Sequence, residues 1–99
     1  MAKVNHVYQG SRCNGTAKVE CDGLPLAPGN DVMNHSPTGF EWGYGGSGPA
    51  QLALAILLNE YPKETALGWY QAFKWAVIAE LGRDWTLTSE DIASVVVQL

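Results

Sequence analysis

The chain has 99 residues, of which 46% are hydrophobic and 16% are charged, and its formal net charge is −4. This length suits one hydrophobic core, so we expect a single domain over residues 1–99. Long charged or polar blocks are absent, which excludes an intrinsically disordered chain. No window concentrates Lys and Arg, and this counts against direct nucleic-acid binding, which needs a basic surface.

Neither a targeting sequence nor a membrane span is evident. The segment Met1–His6 turns polar at once and lacks the apolar core of a signal peptide. The longest apolar run, Leu52–Leu58, is about a third of the ~20 residues that a membrane-spanning helix needs. We therefore expect a cytoplasmic protein with no membrane partner.

Residues 3 to 26 have the pattern of antiparallel strands. Asn14-Gly15 predicts a hairpin, because both residues accept the positive φ of a type I′ turn, and Asp22-Gly23 predicts a second tight turn. If Cys13 pairs with Thr16, one face of the hairpin is the more apolar and carries Val4, His6, Tyr8, Ala17, Val19 and Cys21. The other face is polar and carries Asn5, Gln9, Ser11, Lys18, Glu20 and Asp22.

A connecting loop over residues 27 to 38 leads to Phe40–Tyr44, a candidate third strand because its aromatic residues are spaced by two. The first helix is predicted to begin at Pro49, with Gly48 or Ser47 as its cap and with Gln51 placed to return a capping-box bond. Its apolar run has no polar face, which is typical of a central helix.

Two more helices are predicted, one from Lys63 to Leu81, stopped by Gly82, and one beginning after Thr88 or Ser89. The predicted fold class is therefore α+β. It comprises a small antiparallel sheet, formed by the N-terminal hairpin and the candidate third strand, packed on three helices.

The most informative segment is the glycine-rich loop that leads into the first helix. Five of the 11 glycines lie between Gly39 and Gly48. Glycine allows close backbone approach, and a helix N-terminus offers N–H groups and the positive end of the dipole, which together suit a phosphate or a carboxylate. The loop lacks the Lys-Ser/Thr of a Walker motif and the βαβ context of a dinucleotide fingerprint. Equally, the glycines could simply let a buried helix begin tightly against the sheet.

His35 and Glu41 flank this loop and are the two side chains with acid–base chemistry near it. Asn-His-Ser-Pro at residues 34 to 37 is also good turn chemistry, and no nucleophile–base–orienter set is evident. We therefore predict no catalytic residue. The candidate ligand-binding set is Asn34, His35, Glu41, Trp42, Tyr44, Gly45, Gly46, Ser47 and Gly48.

The sequence predicts neither a disulfide nor a metal site, and no cofactor. In the hairpin register above, Cys13 and Cys21 point to opposite faces and lie roughly 17 Å apart at the usual rise of a strand. The spacing of the cysteines and histidines does not match a standard zinc site, so His6 is interpreted as a structural residue of the sheet.

The chain is rich in tryptophan, with Trp42, Trp69, Trp75 and Trp85. Trp69 and Trp75 lie off the predicted inner stripe of their helix, and exposed tryptophans often mark partner surfaces or stacking sites. They could equally cover the edges of a small core.

The segment NHSPTGFEWGYGGSGPAQLALAIL, residues 34 to 57, resembles the signature of a family of short, uncharacterised bacterial and phage proteins. Flanking features agree with it: Tyr8-x-Gly10, Asp22-Gly23-x-Pro25-Leu26, Tyr70-Gln71-x-Phe73-Lys74 and Trp85-x-Leu87-Thr88. The resemblance implies a prokaryotic or mobile-element setting. It supplies no activity and no catalytic residues.

Three hypotheses follow. In the leading one, a non-enzymatic module holds a small anionic or phosphorylated ligand, such as a nucleotide, at the backbone N–H groups of Gly45–Ala50. The second is a factor that binds and inhibits a host protein through an acidic, Trp-bearing surface. The third is a small hydrolase or transferase that uses His35 and Glu41. A homodimer is a further hypothesis, because a sheet of two or three strands leaves an edge that a second copy could cover.

Overall fold

A computed structural model describes residues 5–36 and 39–99 of the chain. In chain order its elements are β1 Val7–Cys13, β2 Thr16–Cys21, β3 Leu24–Pro25, α1 Ser47–Glu60, α2 Lys63–Ala76, a 3-10 turn Ile78–Glu80, β4 Trp85–Thr88 and α3 Ser89–Val96. The strands form an antiparallel sheet in the order β3-β2-β1-β4. The predicted α+β class is confirmed.

The hairpin has the predicted register. Tyr8 lies opposite Cys21, and Cys13 lies opposite Thr16. Both turns use the left-handed conformation that their sequences favour, with φ of 52° at Asn14 and 53° at Asp22. Tyr8 is buried on the inner face, as predicted, whereas Val4 lies outside the described residues.

The prediction of a strand over Phe40–Tyr44 is wrong. The chain turns at Gly43, where φ is 86°, and the Gly43 N–H bonds the carbonyl of Ile78 instead of a neighbouring strand. The free edge of β1 is taken by β4, which pairs Val7 with Thr88 and Gly10 with Trp85. The other additional strand, β3, follows the predicted turn at Asp22-Gly23.

Gly10 allows β4 to pack closely on β1. A Cβ atom built on Gly10 would lie 2.2 Å from Cε2 of Trp85, so the indole occupies the space above the glycine. The Trp85 ring in turn meets Trp42 edge to face, with centroids 5.6 Å apart. Both tryptophans belong to the core.

Helix α1 is central, as predicted, but it starts earlier than Pro49. Gly46 is its N-cap and Ser47 its first residue, which puts Pro49 at the third helical position. Proline is tolerated there because the first N–H groups of a helix have no intrahelical acceptor. Every residue from Gly48 to Leu57 is buried, and they join inner-face sheet residues and residues of α2 and α3 in one core.

The second helix is shorter than predicted. It ends at Ala76, because Val77 leaves the helical region with φ −125° and ψ −60° before the 3-10 turn begins, so Gly82 is not its stop. The start of α3 is confirmed: Thr88 caps it and forms a capping box with Asp91. Among the described residues, none of the helices combines the length and apolarity needed to cross a membrane.

The predicted capping role of Gln51 is replaced by a different one. This side chain is fully buried, and its Oε1 accepts hydrogen bonds from the backbone N–H groups of His35 (2.7 Å) and Ser36 (3.1 Å). Its Nε2 donates to the carbonyl oxygens of Pro28 (2.6 Å) and Met33 (3.2 Å). One amide therefore fastens the loop from Pro28 to Ser36 onto α1.

We predict that Gln51→Leu destabilises the protein by at least about 3 kcal/mol, because it leaves two backbone N–H and two C=O groups without partners at about 1–3 kcal/mol per buried group. Chemical denaturation followed by circular dichroism measures this. Gln71→Leu, on the exposed face of α2, is the matched control and is expected to change stability by less than about 0.5 kcal/mol. Equal effects of the two variants would contradict the role given to Gln51.

Candidate functional site

The glycine-rich loop lies at the start of α1, and side chains of the same chain pack on its glycines. A Cβ at Gly45 would lie 2.1 Å from the Trp75 ring, and one at Gly46 would lie 2.5 Å from the Tyr44 ring. A Cβ at Gly48 would lie 2.6 Å from the Cβ of Glu41. These three glycines are therefore required by the close approach of two aromatic rings and a glutamate.

The helix N-terminus itself keeps features that suit an anion. Gly46 caps α1 without a side-chain hydrogen bond, and the first turn contains no acidic residue. However, Pro49 has no N–H to offer, and the carboxylate-bearing Glu41 contacts Gly48. Two hollows in the described part of the chain lie away from the helix start: one of about 460 Å³ beside Gln9 and Trp85, and one of about 270 Å³ beside Leu26 and Leu58.

Glu41 and His35 have separate partners. Glu41 forms a bidentate ion pair with Arg12, whose guanidinium also lies 4.5 Å from the centroid of the Trp42 ring. The hydrogen bonds from Arg12 hold the pKa of the Glu41 carboxyl below its usual value. His35 Nε2 instead meets the Tyr70 hydroxyl at 2.7 Å.

The remaining residues of the predicted ligand-binding set do not all lie together either. Asn34 is exposed and accepts a hydrogen bond from Asn30 at 3.0 Å. Trp42 is only 2% exposed and belongs to the core, so its ring faces Trp85 and Arg12. Tyr44, Gly45, Gly46, Ser47, Gly48 and Glu41 lie together at the helix start, whereas Asn34 and His35 contact other partners.

Tyr44 of the loop and Trp75 of α2 are two exposed aromatic residues whose rings lie against this loop, and we term them the aromatic surface. Their rings cover the consecutive glycines 45 and 46, and they are 52% and 59% exposed. The ammonium of Lys74 lies 4.5 Å from the Trp75 ring centroid. Trp69 is also exposed, but it packs edge to face on Tyr61, with centroids 5.7 Å apart.

A second cluster of chemically active side chains lies at the opposite end of α1 and escaped the sequence analysis. The buried Tyr8 hydroxyl donates to Glu60 Oε2 and accepts from Asn59 Nδ2 at 2.8 Å. Ser89 Oγ also donates to Glu60 Oε2, at 2.9 Å, and accepts from the His6 backbone N–H at 2.8 Å. Cys21 Sγ accepts a hydrogen bond from Asn59 Nδ2 at 3.5 Å.

This network ties β1, β2, α1 and α3 together. Burial, and then the hydrogen bond to Glu60, raise the pKa of Tyr8 far above its ordinary value, so the phenol remains neutral. The members are spread from residue 6 to residue 89, and no spacing motif joins them. The sequence indicated only that Tyr8 and Cys21 share a face of the hairpin.

We predict that Tyr8→Phe lowers the free energy of unfolding by about 1–3 kcal/mol, because Glu60 and Asn59 each lose a partner in a half-buried site. Urea denaturation measures the change. Tyr44→Phe, at an exposed ring, is the control and is expected to shift stability by less than about 0.5 kcal/mol. A Tyr8→Phe protein as stable as the wild type would show that the network contributes nothing to folding.

The Arg12–Glu41 pair predicts a pH dependence. Because the folded-state pKa of Glu41 is lowered, the pair stabilises the protein above the usual value of 4.5, and this contribution is lost as the pH falls through the lowered pKa. Glu41→Gln should therefore cost about 1 kcal/mol or less at pH 7, as both side chains are partly exposed.

That difference should shrink as the pH falls below 4.5 and vanish once the wild-type carboxyl is protonated too. Unfolding curves of the two proteins across this range test it. A difference that stays constant with pH would rule out the ion pair as its source.

Comparison with known proteins gives one match. No curated protein and no solved structure matches the chain. A family model described as a family of unknown function, DUF6166, matches residues 8–98, which is nearly the whole chain and includes both the glycine-rich loop and all the side chains of the Tyr8 network. The chain therefore belongs to the DUF6166 family, whose function is unknown.

Proposed function

We propose that this protein is a non-enzymatic binding module that contacts another protein through the aromatic surface formed by Tyr44 and Trp75. The observation that carries the proposal is the exposure of two large rings, each more than half accessible, that lie against the consecutive glycines 45 and 46 of one loop. Tyr and Trp are the residues most often found at the energetic centre of protein interfaces.

The way these rings are held supports an interface role. Each ring lies against a glycine that could not carry a side chain, and Lys74, itself buried, packs on the Trp75 face. Binding would therefore immobilise little additional side-chain freedom, and rings with few rotatable bonds lose little entropy on association. Two pre-ordered aromatic rings therefore lose less conformational entropy on binding than two flexible side chains would.

The charge of the chain indicates the kind of partner. With a net charge of −4, the protein attracts basic surfaces and repels acidic ones at long range. We infer a partner protein with a basic surface around an apolar pocket for Trp75. In the prokaryotic or phage setting that the family resemblance implies, this partner would be a host protein whose activity the module blocks.

The small-anion hypothesis is the second candidate, and the uncapped start of α1 is what favours it. Tyr44 over Gly46, Trp75 over Gly45 and Glu41 against Gly48 already occupy the space above the loop. An anion such as a nucleotide phosphate would have to displace these groups and approach a carboxylate. For that reason we place protein binding first.

The partner can be identified by capture with matched variants. The full chain is immobilised and exposed to bacterial lysate beside Tyr44→Ala, Trp75→Ala and the control Trp69→Ala, and retained proteins are quantified by mass spectrometry. The purified partner is then titrated against each variant by calorimetry. We expect Tyr44→Ala and Trp75→Ala each to weaken binding about 30-fold, as hot-spot truncations of 2 kcal/mol do, and Trp69→Ala to change it less than about fivefold.

The same variants separate the two candidate functions. Tyr44→Ala uncovers Gly46, so it should weaken a protein partner but preserve or improve the binding of inorganic phosphate or a nucleotide to the loop. Thermal shifts with a nucleotide panel measure the second effect. A wild-type protein that nucleotides stabilise, with a partner indifferent to Tyr44 and Trp75, would replace the protein-binding proposal with the anion one.

A further inference from the structure

A group of three potential metal ligands lies at the open end of the β1–β2 hairpin, far along the chain from the glycine-rich loop. His6 immediately precedes β1, Cys21 ends β2, and Asp22 begins the following turn. One ligand atom from each, a ring nitrogen, a thiol sulfur and a carboxylate oxygen, lies within 4.8 Å of the other two. The antiparallel pairing of β1 with β2 brings them together.

The individual distances are close to those of a tetrahedral metal site. His6 Nδ1 lies 2.6 Å from Asp22 Oδ2, and Cys21 Sγ lies 3.9 Å from the same oxygen. Ligands bound at about 2.0 Å (N, O) and about 2.3 Å (S) to one tetrahedral ion are roughly 3.3–3.5 Å apart. The His6–Asp22 and Cys21–Asp22 distances therefore each need to change by less than about 1 Å, and the half-exposed side chain of Asp22 has room to move.

The donor set selects the metal. A thiolate with an imidazole suits Zn²⁺, whereas Ca²⁺ and Mg²⁺ require oxygen ligands almost exclusively. We propose that His6, Cys21 and Asp22 bind one Zn²⁺ ion, with the fourth position open to water or to a donor from another molecule. This site is independent of the aromatic surface. It revises the sequence-based expectation that the chain holds no metal ligands.

Neighbouring groups already orient the ligands as a second shell would. Asn59 Nδ2 donates to Cys21 Sγ, the contact that a thiolate accepts, and the Val7 N–H donates to Asp22 Oδ1 at 2.9 Å. This second bond fixes the carboxylate while leaving Oδ2 toward His6.

The probe for the site is Co²⁺, which reports tetrahedral thiolate coordination by its absorption spectrum. Untagged, reduced full-length protein is titrated with Co²⁺ and then with Zn²⁺. We expect one equivalent of Co²⁺ to give a thiolate charge-transfer band with visible bands of a four-coordinate ion, both abolished by one equivalent of Zn²⁺. Affinity should rise with pH, because binding releases the thiol proton.

Matched variants assign the ligands. Cys21→Ser should remove the charge-transfer band, whereas Cys13→Ser, at the exposed far end of the hairpin, should keep it. Asp22→Asn keeps a residue that tolerates the positive φ of this turn and should weaken Zn²⁺ binding at least tenfold, a loss that unfolding cannot explain if the circular dichroism spectrum is unchanged. Asn59→Ala should weaken it about 10–100-fold, as changes in a second shell do.

The proposal is overturned by any of three results: no 1:1 charge-transfer band in the wild type, a band that survives in Cys21→Ser, or a band lost equally in Cys13→Ser. In each case His6 and Asp22 form an ordinary ion pair at a hairpin end. Displacement by Zn²⁺, with the band lost in Cys21→Ser and kept in Cys13→Ser and with binding weakened in Asp22→Asn and Asn59→Ala, supports the site.

Discussion

The rest of the structure depends on one buried amide. Helix α1 is enclosed on all sides, and Gln51 is the polar side chain on its buried stretch. Its four hydrogen bonds satisfy backbone groups of a loop that has little regular structure of its own. Buried polar groups of a loop must find partners, and a fully satisfied amide supplies them without breaking the helix. The path of the chain from Pro28 to Ser36 is thereby set from within the core.

Several glycines of this domain are explained by the packing of other side chains on them. At Gly10, Gly45, Gly46 and Gly48, the missing side chain makes room for a side chain from another residue: Trp85, Trp75, Tyr44 and Glu41 respectively. A small domain has little volume for large rings, so placing a ring directly against bare backbone buries aromatic area without widening the core. A glycine-rich loop of this kind serves packing first. What it binds depends on the face that the rings leave exposed.

Local rules predicted the parts of the fold whose partners are near in sequence. The Asn14-Gly15 turn, the register of β1 with β2 and the Thr88 cap of α3 all follow from neighbouring residues, and the structure confirms them. The strand predicted at Phe40–Tyr44 had suitable alternation, but it is β4 that occupies the edge of β1 beside the hairpin. A strand of four residues with a partner far along the chain has no local signature.

The candidate site was likewise predictable only where its residues are close together in the sequence. Sequence reasoning found the residues around Gly45 and Gly46, since they are contiguous, and could not find that Trp75 lies on them. It placed His6 and Cys21 on one face of the hairpin but judged them by their linear spacing, whereas strand pairing sets their separation. Whether any of the predicted residues binds a ligand remains a prediction.

The antiparallel pairing of β4 with β1 also shapes how this chain folds. The β1–β2 hairpin can form as soon as its own residues are available. The other edge of β1 stays unpaired until β4 reaches it, and contacts there, such as the hydrogen bond from the His6 N–H to Ser89 Oγ, join residues 83 positions apart. Closing so long a loop is slow, because its entropy cost comes before the native contacts that stabilise it have formed. During synthesis the hairpin would thus present one unsatisfied strand edge until β4 emerges, and that interval is when the chain is most open to pairing with the wrong strand.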